Sequence, residues 1–256
     1  MLHQDIQNYW DQRHSGYSQK NMKELHSAQK AKWQEELKHR LPEDLSIQIL
    51  DIGTGPGFFP IVLKELGYGQ ITAIDASKNM LQTAEKNLRA FCGDLTDAVQ
   101  FLQMDAQQMA FPDDSFDLIV MRNVTWNLED PELAYKEWLR VLRPGGQILV
   151  YDANWYSYLY DEKVRQQFEA NLNQALEEDL EDYWHGEGVD EARIEAIAKQ
   201  LPLTKRKRPE WDKKYLEQYA NVTVEVNEAF GHHIWNREEE LNYAATPMFS
   251  LYIRKK

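Results

Sequence analysis

The chain reads as an α/β protein with a Rossmann-like, doubly wound, mostly parallel sheet of seven strands. Two observations carry that reading. Between residues 47 and 152, short β-branched runs alternate with stretches of helical periodicity, the rhythm that builds parallel strands joined by crossover helices. The first run also ends in a cluster of glycines, Asp51-Ile52-Gly53-Thr54-Gly55-Pro56-Gly57, which turns directly into the first helix of the alternation.

Residues 1–45 are polar and read as helices, with Leu25, Ala28, Trp33 and Leu37 at roughly helical spacing, and Pro42 marks the break before the core. Residues 47–52 form a buried strand, and a helix follows over 58–66. Residues 70–75 are the second strand, and Ser77 opens a helix with Met80, Leu81, Ala84 and Leu88 along one side. Residues 99–104 form a third strand ending at Asp105, and 116–121 a fourth, preceded by the turn Pro112-Asp113-Asp114. Asp130 caps a helix with Pro131 at its first position, and Arg143-Pro144-Gly145-Gly146 ends it sharply before a fifth strand over 147–151.

Beyond Asp152 the rhythm lapses. Residues 162–182 and 189–200 read as helices, separated by a loop around Gly186 and Gly188, and strand patterns return only at 221–226 and 248–253. The expected organisation is a single domain, with an N-terminal helical segment (1–45), a ligand-binding core (46–152), a helical insertion (153–220) and C-terminal strands (221–256). The insertion suits either a substrate lid or a cover for an open sheet face.

Composition narrows the partners. With 256 residues, 43% hydrophobic and 28% charged, the chain is ordinary globular material. Its net charge of −13 repels phosphate backbones and anionic lipid heads, so neither nucleic acid nor a membrane surface is expected as partner. The basic run Lys205-Arg206-Lys207-Arg208 reads as a solvated loop. One cysteine, Cys92, allows no intrachain disulfide, and residues 1–10 lack the pattern of a secretion signal, so a cytoplasmic protein is expected. A homodimer is compatible with the sequence. His185, His232, His233 and the acidic residues 238–240 do not suggest a metal: adjacent histidines in an extended segment point to opposite sides, and no pair shares a helix face.

Three features carry chemistry. Glycines at 53, 55 and 57 let backbone approach a ligand closely, and the helix behind them presents free N–H groups. A dinucleotide fingerprint would place glycine at 58, where this chain has Phe58. Asp75, ending the second strand, suits the two hydroxyls of a ribose, and Asp105 with the backbone of Ala106 suits an adenine edge. All three fall at the carboxyl ends of neighbouring parallel strands, where open α/β sheets bind ligands.

Through residues 50–57, Ile74-Asp75-Ala76-Ser77, Met104-Asp105-Ala106, Phe116-Asp117-Leu118-Ile119 and Val141-Leu142-Arg143-Pro144-Gly145-Gly146, the chain resembles the class I S-adenosylmethionine-dependent methyltransferases. The resemblance implies S-adenosyl-L-methionine as cofactor, with Asp51 and the loop Gly53, Thr54, Gly55 and Gly57 at its methionine part. It puts Asp75 and Ala76 at the ribose, Asp105 and Ala106 at the adenine, and Met80 packed on the adenosine. Arg122 and Asn123, closing the fourth strand, would face the sulfonium, and Tyr9, Trp10 and Tyr17 would close over the cofactor.

Methyl transfer needs an acceptor placed in line with the S–CH₃ bond, and a base only if the acceptor arrives protonated. Asp152 and His14 are the candidate bases, with Asn123 as a third catalytic candidate. Tyr17, Trp126, Asn154, Trp155 and Tyr156 are the candidate contacts to a small-molecule acceptor. Three other functions share these motifs: transfer of a different group such as aminocarboxypropyl, a nicotinamide-dependent oxidoreductase, and a cofactor-binding protein without turnover.

Overall fold

The computed structural model describes residues 2–93, 99–186 and 188–256. Among them, seven strands form one sheet: β1 (Ile49–Ile52), β2 (Ile71–Asp75), β3 (Val99–Gln103), β4 (Phe116–Arg122), β5 (Leu142–Asp152), β6 (Val222–Asn227) and β7 (Phe249–Lys255). Their order is β3-β2-β1-β4-β5-β7-β6. β3, β2, β1, β4 and β5 pair in parallel, and β7 lies antiparallel between β5 and β6. The strand order reverses between β1 and β4, which opens a crevice at their carboxyl ends.

The central strands are buried on both faces, so they read as continuous apolar runs whose residues alternate between two cores. Ile49, Leu118, Val120, Leu149 and Tyr151 belong to one core; Leu50, Ile52, Ile119, Met121, Ile148 and Val150 belong to the other. Each such side chain removed from water stabilises the fold by about 1.5–3 kcal/mol, and a one-residue slip would exchange the two sets.

On the first face lie helices α1 (Leu2–Leu25), α2 (Gln29–Arg40), α3 (Phe58–Glu65) and α4 (Lys78–Cys92). α2 buries Trp33 and Leu37. Trp33 meets Phe58, Phe59 and Tyr151 nearly edge-on, with ring centroids 5.8, 5.6 and 5.0 Å away, the preferred geometry for aromatic pairs. Ala28, expected on the apolar side, is exposed just before α2 begins, and Gln29 is buried instead. The buried face of α1 is largely polar: Arg13, Ser18 and Asn21 beside Tyr9 and Leu25. Such a face is a wall for a polar site rather than ordinary core.

On the other face α5 (Pro131–Val141) carries Ala134, Trp138 and Val141 inward, with Asp130 accepting the Leu133 N–H as its cap. The Arg143-Pro144-Gly145-Gly146 turn does not separate helix from strand. β5 starts at Leu142, and the turn bulges out between the pairs Phe116–Leu142 and Leu118–Gln147, with Gly145 at φ +82°.

The insertion contains α6 (Glu162–Glu177), α7 (Glu191–Ala198) and α8 (Glu210–Leu216). α6 stops five residues short of the expected 182: Asp179 takes φ +53°, and the Leu180 N–H turns back to the Ala175 carbonyl at 2.9 Å. α9 (Gly231–Ile234) replaces the extended segment expected around His232 and His233, and α10 (Arg237–Tyr243) follows it. His232 and His233 are therefore exposed on a short helix. The basic run also departs from expectation. Lys205 and Lys207 are solvated, but the Arg208 side chain is completely buried and forms a bidentate pair with Asp212, both contacts 2.9 Å.

Candidate active site

The glycine loop needs its glycines for definite reasons. Gly53 and Gly55 have φ +63° and +53°, and a Cβ on Gly53 would lie 2.4 Å from Val124 Cγ2. A Cβ on Gly57 would lie 3.1 Å from the backbone of Ala84, so this residue lets α3 and α4 approach. Asp75 holds the loop shut, its two carboxyl oxygens accepting the Gly55 N–H at 2.9 Å and the Ser77 N–H at 2.8 Å. Ser77 then caps α4 through the Met80 N–H and donates to Asp11 of α1.

Gly53, Gly55, Asp75 and Ser77 line a cavity at the carboxyl ends of β1, β2 and β4 together with Asp51, Thr54, Ala76, Met80, Asp105, Ala106, Arg122 and Asn123. α1 roofs it through Ile6, Gln7, Trp10 and Tyr17, and the Gln7 amide is tied to the Ala76 carbonyl at 2.8 Å. Asp105 accepts the Gln107 N–H, and the Ala106 carbonyl is held by Trp138 Nε1.

The cavity wall holds polar atoms that lack partners. Asp51 is 1% exposed, and its Oδ2, like Asn123 Oδ1, makes no hydrogen bond among the described residues. Burial pushes the Asp51 carboxyl up to about 8 and that of Asp75 to about 6. Orphaned acceptors around a backbone cradle that admits no side chain suit a polar ligand bearing ammonium and hydroxyl donors, which is the donor set of S-adenosylmethionine.

A second cavity of about 340 Å³ adjoins the first and shares Trp10, Tyr17, Asn21, Arg122 and Asn123 with it, a size in the range of ligand sites. Its walls are rich in aromatic rings, with charged side chains such as Lys20, Glu24, Arg122 and Glu239 among them. Ring contacts run from Trp10 to Trp126 (6.4 Å), Trp126 to Tyr156 (5.0 Å), Tyr156 to Trp184 (6.0 Å) and on through Tyr243 to Trp155 (5.0 Å). Asn123 stands between the cavities with φ +59°, its N–H held by the Tyr151 carbonyl and its amide 3.3 Å from the Tyr17 hydroxyl.

Arg122 lines both cavities, but its charge is committed to α1. Nη1 lies 2.8 Å from both Glu24 carboxyl oxygens, Nη2 donates to Asn21, and the guanidinium sits 3.8 Å over the Phe58 ring. It fastens the roof helix to the end of β4.

Four expected site residues lie elsewhere, the first being Gly57, which packs against Ala84 of α4 and lines neither cavity. His14 faces Thr83 of α4 at 3.0 Å and lines neither cavity. Asp152 is 0% exposed and accepts from Thr125 Oγ1, the Trp126 and Ala153 N–H groups and Arg208, so it has no path to an acceptor proton. Asn154 spends its amide on the Arg206 carbonyl, outside both cavities. Tyr17, Trp126, Trp155 and Tyr156 do line the second cavity. Trp184, Trp235, Glu239 and Tyr243 join them unforeseen, brought in by loops and by α10. The sequence held one usable signal for α10: Asn236 followed three residues later by Glu239 is a capping box, and both of its hydrogen bonds form.

Residues 50–150 match the family model of a methyltransferase domain. A ubiquinone/menaquinone biosynthesis C-methyltransferase of Roseobacter denitrificans is 32% identical over 119 residues, covering 46% of this chain and 47% of that protein. A demethylmenaquinone methyltransferase of Clavibacter sepedonicus is 36% identical over 103 residues, 40% of each chain. The chain thus spans less than half the length of these relatives. Among solved structures, a geranyl diphosphate C-methyltransferase from Streptomyces coelicolor superposes with a TM-score of 0.64 at 12% identity, covering 100% of this chain and 98% of that one. The methyltransferase in a complex with the Trm112 activator from Haloferax volcanii gives 0.61 at 19%, covering 96% and 98%. At these identities the structural likeness is one of fold. Residues 50–150 thus match a methyltransferase domain, and the whole chain shares its fold with these solved methyltransferases.

Proposed function

We propose that the protein transfers a methyl group from S-adenosylmethionine to a small, largely apolar acceptor held in the aromatic cavity. The observation that carries this reading is the meeting of two cavities at Trp10, Tyr17, Asn21, Arg122 and Asn123, one built on the glycine loop and the other rich in aromatic rings. The bound cofactor supplies a methyl group already activated on a sulfonium, so the protein's contribution is mainly positioning. Asp51, Thr54 and the backbone of residues 53–56 take the amino-acid part, Asp75 and Ala76 the ribose, and Asp105 and Ala106 the adenine, with Met80 packed against it. Asn123 and Tyr17 hold the boundary between donor and acceptor, and Trp126, Trp155 and Tyr156 bracket the acceptor.

The segment 153–220 acts as an acceptor lid: its Trp155, Tyr156 and Trp184 stand in the wall. Relatives named for demethylmenaquinone and a fold neighbour solved with geranyl diphosphate indicate the kind of apolar acceptor such a cavity suits. The test is to incubate the protein with S-adenosylmethionine and a panel of hydroquinones and isoprenoids and to follow product mass. A gain of one methyl in place of hydrogen supports the reading. A gain matching aminocarboxypropyl, or no product from an acceptor shown to bind, overturns it.

A further inference from the structure

We propose that Glu239 is the proton acceptor of the aromatic cavity, and that the cavity therefore takes a flat acceptor carrying an acidic O–H or N–H. The inference rests on reading this cavity as the acceptor site. Glu239 lines it, projecting from the first turn of α10 beside Asn236. Its Oε2 is occupied, accepting from the Asn236 N–H at 3.1 Å and from Gln29 Nε2, while Oε1 has no hydrogen-bond partner among the described residues. The other carboxylates on that wall are engaged, Glu24 by Arg122 and by Trp33 Nε1 at 2.6 Å and Glu181 by Lys23 at 2.8 Å. A carboxylate oxygen without a protein partner, set among indole and phenol rings, is placed to meet a donor that enters the cavity.

The surroundings also set its basicity. Burial first, and then the charge of Glu24, push the Glu239 carboxyl up to about 7, against the opposing effects of the Asn236 and Gln29 hydrogen bonds and of Arg122. Lys20 of α1, Tyr183 of the insertion and Tyr243 of α10 are the other titratable groups whose charges act on it. A carboxylate so placed is matched to proton transfer near neutral pH. In the step, the proton passes from the acceptor's O–H or N–H to Glu239 Oε1, the electron pair stays on the acceptor as its nucleophilic lone pair, and Glu239 later releases the proton to water.

The test uses Glu239→Gln, which keeps the capping box because glutamine serves equally well at that position. Calorimetric titration with S-adenosylhomocysteine should give the same affinity in both proteins, since Glu239 lies outside the cofactor cavity. Binding of 2-naphthol, 1-aminonaphthalene and naphthalene to the S-adenosylhomocysteine complex is then followed by quenching of tryptophan fluorescence. At pH 8 the substitution is expected to weaken one or both donor probes by about tenfold, the scale of a lost charge-assisted hydrogen bond, and to leave naphthalene unchanged. In the wild-type protein that preference fades as pH falls from 8 to 6; in the variant it is flat. Loss for the naphthol alone identifies O–H acceptors, and loss for the amine alone N–H acceptors. If S-adenosylhomocysteine binds but the three probes behave alike in both proteins, the role of Glu239 is refuted while the cofactor reading stands. If the wild-type protein binds no S-adenosylhomocysteine, both fall.

Discussion

Asp152 decides between a catalytic and a structural reading of the end of β5, and Asp152→Asn separates them. The carboxylate accepts the Trp126 and Ala153 N–H groups at 2.9 and 2.8 Å and the Thr125 hydroxyl, and it faces Arg208 at 3.5 Å, all at 0% exposure. An amide of the same shape has one acceptor oxygen, so its NH₂ must confront one of those backbone donors. A buried donor left unsatisfied costs about 1–3 kcal/mol, and Arg208 loses one of its two charge partners, adding about 1 kcal/mol more. A total of about 2–4 kcal/mol corresponds to a Tm about 4–16 °C lower for a chain of this size. Thermal unfolding followed by circular dichroism measures it. The companion Arg208→Met and the double variant should couple by about 0.5–3 kcal/mol, as residues of one network do. A Tm within about 2 °C of wild type would refute the structural role and return Asp152 to the list of candidate bases.

Two further outcomes test the cofactor cradle. Gly53→Ala is strained at φ +63° and drives its Cβ to 2.4 Å from Val124, which itself sits beside Asn123. S-adenosylhomocysteine affinity should drop at least tenfold, and calorimetry giving wild-type affinity would show that the loop does not touch the ligand. The Asp75 carboxyl, raised by burial to about 6, accepts ribose hydroxyls best when ionised. The sign follows: its ionised form prevails above pH 6, so affinity is level above that pH and falls by up to about tenfold per unit below it, and a flat profile from pH 7 down to 5 would remove Asp75 from the ribose site.

What could be read in advance followed locality. The βα alternation, the glycine loop and the aspartates ending β2 and following β3 depend on short-range pattern and on strand ends that parallel topology brings together, so the floor of the first cavity was legible and its α1 roof, Ile6 and Gln7, was not. The second cavity was legible only through Tyr17, Trp126, Trp155 and Tyr156, because α1, the insertion and α10 converge on it from positions up to 234 residues apart, from Tyr9 to Tyr243. His14 and Asp152 looked alike from their positions in the chain. A helix turns one toward Thr83, and Arg208, in a run that reads as solvated, claims the other. Arg122 lies where the two cavities meet, but its pairing with Glu24 across 98 residues left no trace in the local sequence.

The most direct test of the central claim is calorimetric titration of the protein with S-adenosylmethionine and S-adenosylhomocysteine, with NAD as the competing nucleotide and Asp75→Ala as the site control. The account predicts binding of both sulfur nucleotides at one site per chain, lost in the variant, and no binding of NAD. Binding of NAD in their place, or of none of the three, would contradict it.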